Sequence, residues 1–283
     1  MNPPDDPYRI RSYVSDFDEI AAGYRQASDR ARQNWRQIAD MSYGAHPDER
    51  LDLFFPAAAS MPAPIHLFIH GGYWRANVKE DYAFLADTIC GAGAIAAIVE
   101  YTLMPRARMA RLVDQVRRTA IWIRGNAASF GGDDQALSAS GHSAGAHLAS
   151  YLAAFGPNES AMKLAPIGSL LLVSGIYDLA PIASSFLQEE LHLTAEEIAD
   201  WSPIRAEPAD DTERTIVVGG AETSPFGRDA RELGAHLQAC GVTAPVMILP
   251  QLNHMTILRE MGQPASPIAN LIGACITSSR PKP

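Results

Sequence analysis

The chain is poor in cysteine. Cys90, Cys240 and Cys275 are the three in 283 residues. Their number is odd and none belongs to a CxxC pair, which argues against a disulfide framework and against a zinc–thiolate site. Basic residues are also scarce, with 23 Lys and Arg against 32 Asp and Glu and a formal charge of −9. Nucleic acid and anionic membrane surfaces both require clustered cations, so neither is an expected partner. No apolar run approaches the ~18 residues of a membrane span. The opening Met1-Asn2-Pro3-Pro4-Asp5-Asp6 lacks the basic and apolar regions of a signal peptide. The expected setting is the cytoplasm, with free thiols. There is no P-loop, no complete GxGxxG and no HExxH, so neither cofactor nor metal is expected. No repeat of 20–50 residues is visible.

What remains is a chain able to fold around a large core, since 47% of its residues are hydrophobic and 19% charged. We read residues 1–283 as one domain, because α/β sheets often reach ~250 residues as a unit. Residues 15–40 form an N-terminal helical segment, with Phe17, Ile20, Tyr24, Trp35 and Ile38 at loosely helical spacing. Leu51 to Phe55 starts as a strand and stops at Pro56. Short apolar runs follow at 65–69, 94–99, 136–139, 169–173, 215–218 and 246–249. Helical periodicity fills the intervals 81–90, 106–128, 144–155, 226–240 and 255–279. Apolar strands alternating with helices predict an α/β fold, a mostly parallel central sheet with helices on both faces. Sites in such sheets lie beyond the carboxyl ends of the strands. Residues 176–212 contain no strand candidate but much apolar content, and predict a small packed cap. The arginines at 106, 108, 111, 117, 118 and 124 read as a solvated helix face.

Gly141-His142-Ser143-Ala144-Gly145 lies between a strand-like run and a helix-like one. A G-x-S-x-G turn in that context is a nucleophile elbow. Serine sits on a bend so sharp that a Cβ at the flanking glycines would strike the neighbouring backbone. Its hydroxyl then needs a base. Chain order in hydrolase folds of this kind runs serine, acid, histidine. His46, His66 and His70 precede the serine, and His142 and His147 adjoin the elbow. His192 falls in the cap and His236 in mid-helix, which leaves His254 on the loop after the last strand. The first carboxylate beyond strand 215–218 is Glu222, whose role would be to hold the Nδ1–H of the imidazole. Asp229 is the alternative acid.

His70-Gly71-Gly72-Tyr73-Trp74 ends the strand at 65–69. Glycines there let backbone N–H groups approach a developing oxyanion, and the N–H of Ala144 adds another donor. HGGYW, the segment Glu100-Tyr101-Thr102-Leu103-Met104-Pro105 and GHSAGAHLAS at 141–150 together resemble the hormone-sensitive-lipase-like α/β-hydrolases. More narrowly, they resemble the kynurenine formamidase (arylformamidase) and carboxylesterase branch, over about residues 15–275. That branch usually carries Asp in a segment like D-S-P-x-F, where this chain has Glu222-Thr223-Ser224-Pro225-Phe226. The resemblance implies a Ser143–Glu222–His254 triad and an oxyanion hole from Gly71, Gly72, Tyr73 and Ala144.

Trp74, Tyr177, Phe186, Trp201 and Met255 fall where a substrate pocket is expected, which suits an aromatic leaving group. The same residues are also what ordinary core packing would use. The expected partner is a small ester or amide, an N-formyl arylamide or a short-chain carboxylic ester. A third reading is a hydrolase fold that binds without catalysis. A homodimer is compatible with the sequence, which does not fix the oligomeric state.

Overall fold

Apolar runs bounded by glycine and proline pair into one sheet in the computed structural model, which describes residues 6–57, 62–157, 159, 164–209 and 212–279. Its strands are β1 (Arg36–Ser42), β2 (Arg50–Phe55), β3 (Ala63–Ile69), β4 (Ile95–Val99), β5 (Gly132–His142), β6 (Ser169–Val173), β7 (Glu213–Gly219) and β8 (Val246–Leu249). They lie in the order β1-β2-β4-β3-β5-β6-β7-β8. β1 and β4 run antiparallel to β2, and every other pairing is parallel. All residues of β3 and β4 are buried. A strand covered by helices on both faces has no side for polar alternation, which is why these runs read as continuously apolar. No helix among the described residues is long and apolar enough to cross a membrane.

The N-terminal segment departs from the reading of 15–40 as wholly helical. A helix spans Phe17–Asn34, and from Arg36 the chain is strand β1. β1 is an outermost strand, mostly exposed, so it shows no apolar run. Its pairing with β2 is broken by a bulge between Ile38 and Met41, with Asp40 at φ 55°. Such an edge resists pairing with another chain. The helical interval 255–279 is two helices, His254–Met261 and Pro267–Ser278, since Ser266 and Pro267 start a new one. The interval 144–155 is helical only over Ala144–Ser150. In the excursion 176–212, where a cap is expected, Ile182, Leu187 and Leu191 are fully buried, so the segment is packed. Its helix Ala195–Asp200 begins with a capping box of Thr194 and Glu197. Glu207–Pro208 forms a two-residue antiparallel pairing with Ala154–Phe155.

The arginines of helix Met109–Asn126 and its approach divide, with Arg106 and Arg111 exposed as a solvated face would have them and Arg117 buried. Arg108 bonds the Leu191 and His192 carbonyls and pairs with Glu197, so it ties the cap to the helix. Arg111 and Arg118 both pair with Glu49, whose side chain is fully buried. Buried charge is tolerated when paired and hydrogen-bonded, and that need recruits these side chains inward. Arg117 is itself buried and donates to the carbonyls of Tyr151 (2.8 Å) and Ala154 (2.6 Å) and to Glu159 (2.5 Å). Arg117→Met strands those acceptors. The expected loss is about 3–5 kcal/mol of unfolding free energy, read from urea denaturation. A loss below about 1 kcal/mol would mean that Arg117 is not needed there.

Candidate active site

The parallel register of the central strands brings their carboxyl ends together. Ile69 of β3 pairs with Gly141 of β5, and His142 of β5 with Val173 of β6. The loops after β3, β5 and β6 therefore emerge side by side. Ser143 follows β5 at φ 58°, ψ −124° and starts helix Ala144–Ser150. Its N–H donates to the Val173 carbonyl at 2.9 Å. The two elbow glycines are sterically compelled. A Cβ on Gly145 would lie 2.0 Å from the Ile69 carbonyl oxygen, and one on Gly141 2.2 Å from the Gly145 carbonyl oxygen. A Cβ on Gly71 would lie 2.8 Å from the His142 oxygen and 3.0 Å from the Ser143 Cβ. The loop after β3 is thus in near contact with the elbow.

That loop is strained. Gly72, Tyr73 and Trp74 have φ of 112°, 50° and 59° in succession. For the two residues with side chains, such backbone costs roughly 1–3 kcal/mol each and persists only where the surroundings impose it. The Tyr73 hydroxyl donates to the Tyr8 carbonyl at 2.7 Å. The Trp74 indole N–H donates to His147 Nδ1 at 3.3 Å.

On the other side of the elbow, His254 is the first residue of a helix capped by Asn253 and Thr256. Its Nδ1 donates to Glu222 Oε2 at 2.7 Å. The imidazole packs against the tilted rings of Phe226 and His142, with centroids 4.2 and 4.5 Å away. The other Glu222 oxygen accepts from the Gly219 N–H (2.7 Å) and the Ser174 hydroxyl (2.5 Å). Asp229 is elsewhere. It accepts from the N–H groups of Tyr177 and Asp178 and pairs with Arg228. Burial raises its carboxyl above the usual range, against the bond from Tyr177. Burial, and next the adjacent His254, push His142 well below the usual imidazole range. With Nδ1 committed to Glu222, Nε2 is the His254 nitrogen left for proton exchange.

Ser143, His254, Gly71, Gly72 and Tyr73 line one cavity of about 710 Å³. Phe186 and Met255 line it too. Trp74, Tyr177 and Trp201 do not. Trp74 and Tyr177 are fully buried, and Trp201 packs edge-on against Tyr151 at 5.3 Å. Ala144 is buried at the start of its helix, where the first N–H groups have no intrahelical acceptor.

Comparison with known proteins points to hydrolases. Residues 51–190 match the family model named BD-FAE. The kynurenine formamidase of Danio rerio is 29% identical over 258 residues, which cover 89% of this chain and 84% of the relative. That of Salmo salar is 28% identical over 244 residues, 84% of this chain and 81% of the relative. Among solved structures, a candidate thioesterase from Silicibacter sp. TM1040 superposes with a TM-score of 0.81. It is 25% identical and covers 97% of this chain and 99% of its own. An esterase of Pyrobaculum calidifontis superposes with a TM-score of 0.74 at 16% identity, covering 92% of each chain. The chain is a serine hydrolase with an α/β-hydrolase fold.

The hydrolase also uses residues with no motif to announce them. Tyr8, Arg9 and Ile10 form one wall of the cavity. They are held by Thr223 Oγ1 donating to the Pro7 carbonyl (2.8 Å) and by the Phe186 N–H donating to Asp6 (2.7 Å). The Arg9 guanidinium lies 4.2 Å from the Phe186 ring centroid. Tyr24, on helix Phe17–Asn34, donates to the Met255 carbonyl at 2.5 Å and lines the cavity. The helical spacing of Phe17, Ile20 and Tyr24 signalled a packed face, though not what it packs against. Ser174, which holds Glu222, had only its place after β6 to mark it.

Two buried histidines give the hydrolase a pH-dependent stability. His66 sits between the hydroxyls of Ser138 and Ser140, each 2.8 Å away, and burial pushes its imidazole down to about 3. Burial pushes His147 down to about 4, against the bond to the Trp201 carbonyl. An unfolded histidine titrates near 6.5, so between pH 6.5 and 4 the unfolded chain binds protons that the folded chain refuses. Stability is therefore whole above about pH 6.5 and falls as pH drops. Each residue should cost about 2 kcal/mol at pH 5 relative to pH 7.5. Urea midpoints at the two pH values test this, and equal midpoints would refute it.

Proposed function

We propose that the hydrolase cleaves N-formyl arylamides and short-acyl esters through an acyl-enzyme. Ser143 is the nucleophile, His254 the general base and Glu222 the residue that orients it. The N–H groups of the 71–73 loop and of Ala144 receive the oxyanion. The observation that carries this reading is the Glu222–His254 bond of 2.7 Å at a cavity that Ser143 also lines.

The chemistry follows from those positions. Ser143 Oγ forms a bond to the substrate carbonyl carbon as its proton passes to His254 Nε2. The carbonyl electron pair moves onto oxygen, where positioned N–H donors stabilise it more than they stabilise the ground state. Collapse expels the arylamine or alcohol, which takes the proton from His254. Water then repeats the sequence on the acyl-serine and releases formate or a short carboxylate. Throughout, the Glu222 carboxylate stabilises the imidazolium without taking its proton. A formyl group needs almost no acyl space, so most of the cavity is left for the leaving group. The aromatic lining from Tyr8, Phe17, Tyr24, Tyr73 and Phe186 suits an aryl ring there.

Formamide cleavage is supported by the two fish kynurenine formamidases, whose similarity runs over most of both chains. The second reading, a carboxylesterase without formamidase activity, is supported by the esterase LipQ of Mycobacterium tuberculosis. That protein is 34% identical over 131 residues, 45% of this chain and 31% of its own. Steady-state rates on N-formylkynurenine and on p-nitrophenyl acetate separate the two. Turnover of both is expected, with Ser143→Ala lowering kcat by up to ~10⁶-fold. Ester cleavage without formamide cleavage would select the second reading. Absence of both, with no labelling of Ser143 by a fluorophosphonate, would leave only a binding role.

A further inference from the structure

The loop Gly72–Trp74 needs an external restraint, since three successive residues hold positive φ. Its inner anchor is Trp74, which is fully buried and therefore outside the cavity that Tyr73 lines. The Trp74 N–H is a donor only. It meets His147 Nδ1 at 3.3 Å, and the two rings are edge-on, 5.1 Å apart at 82°. The opposite nitrogen, His147 Nε2, lies 2.7 Å from the Trp201 carbonyl oxygen, which is an acceptor only. These two partners together require a neutral imidazole carrying its proton on Nε2. His147 belongs to the helix that begins at the elbow, and its own N–H donates to the Ser143 carbonyl at 3.2 Å. One fully buried ring thus touches three separate segments: the loop after β3, the elbow helix and the end of the cap.

We propose that His147 is a positioning residue for oxyanion stabilisation: by accepting the Trp74 N–H and donating to the Trp201 carbonyl, it fixes the 72–74 loop against Ser143. The inference rests on the hydrolytic reading above, in which that loop supplies oxyanion donors. His147 does not touch substrate. It acts through Trp74, and its consequence is a loop whose N–H groups are already aimed before substrate arrives. Misplacing such donors by about 1 Å can cost ~10²-fold in rate. The interaction is made to the transition state rather than the ground state, so the loss belongs in kcat and leaves KM nearly unchanged.

The test compares wild type with Trp74→Phe, His147→Phe, His147→Gln and the double variant W74F/H147F. Trp74→Phe keeps an aromatic ring in the core and removes only the N–H and part of the ring area. The readouts are kcat and KM on p-nitrophenyl acetate per fluorophosphonate-reactive site, Ki for a phenylboronic acid that forms a tetrahedral serine adduct, and Tm. Trp74→Phe and His147→Phe should each lower kcat about 10–100-fold with KM within about 3-fold, and weaken the boronate by a similar factor. The double variant should lose no more than the worse single one, because both remove the same bond. His147→Gln, which can donate and accept at once, should recover part of kcat. Unchanged kcat per reactive site in Trp74→Phe and His147→Phe, or additive losses in the double variant, would overturn the proposal even if Tm falls. Wild-type turnover and labelling check the hydrolytic reading separately, so failure of one is not mistaken for failure of the other.

Discussion

The close approach of β3 and β5 governs the rest of the structure. In register, Ile69 stands beside Gly141, and the chain leaving each strand must turn in the space beside the other. That space admits no side chain at Gly145, where a Cβ would meet two successive carbonyls, those of Ile69 and His70. Nor does it admit one at Gly71 without displacing the elbow. Two glycines that look like unrelated loop residues in the sequence therefore answer to one steric condition. Once it is met, a helix N-terminus, the Ser143 hydroxyl and the backbone of the 71–73 loop are neighbours without any further device.

In the proposed triad, Glu222 shows how glutamate is accommodated where the resemblance would place aspartate. Glutamate reaches one methylene further than aspartate, and a carboxylate at the end of a longer stem needs more fixing. Here one oxygen is pinned by the Gly219 N–H and the Ser174 hydroxyl, so the other is presented to His254 at hydrogen-bond distance. Ser174 is held at φ 51°, a further strained position at a strand end. The imidazole is then held through Nδ1 by Glu222 and packed against the tilted rings of Phe226 and His142.

Much of this was legible in the sequence, for physical reasons that can be named. The buried parallel strands announced themselves because two-sided burial leaves an unbroken apolar run. The turn at Ser143 was legible because it excludes all but glycine on either side, and the contact of Glu222 with His254 because chain order leaves few places for such a pair. β1 was not, since an exposed edge needs no apolar pattern, and its residues blended into the helix before it. The inward ties of Arg111 and Arg118 were not legible, because sequence shows their charge but not Glu49 buried opposite. The aromatic residues divided on the same ground. Phe186 and Met255 face the cavity, whereas Trp74, Tyr177 and Trp201 are packing and anchoring residues, and only contacts distinguish the two.

The wall formed by residues 8–10 has a practical consequence for altering the protein. Asp6, Pro7 and Tyr8 are bonded to Phe186, Thr223 and Tyr73 around the cavity. A change among residues 6–8 therefore alters the cavity lining together with the bonds that support it.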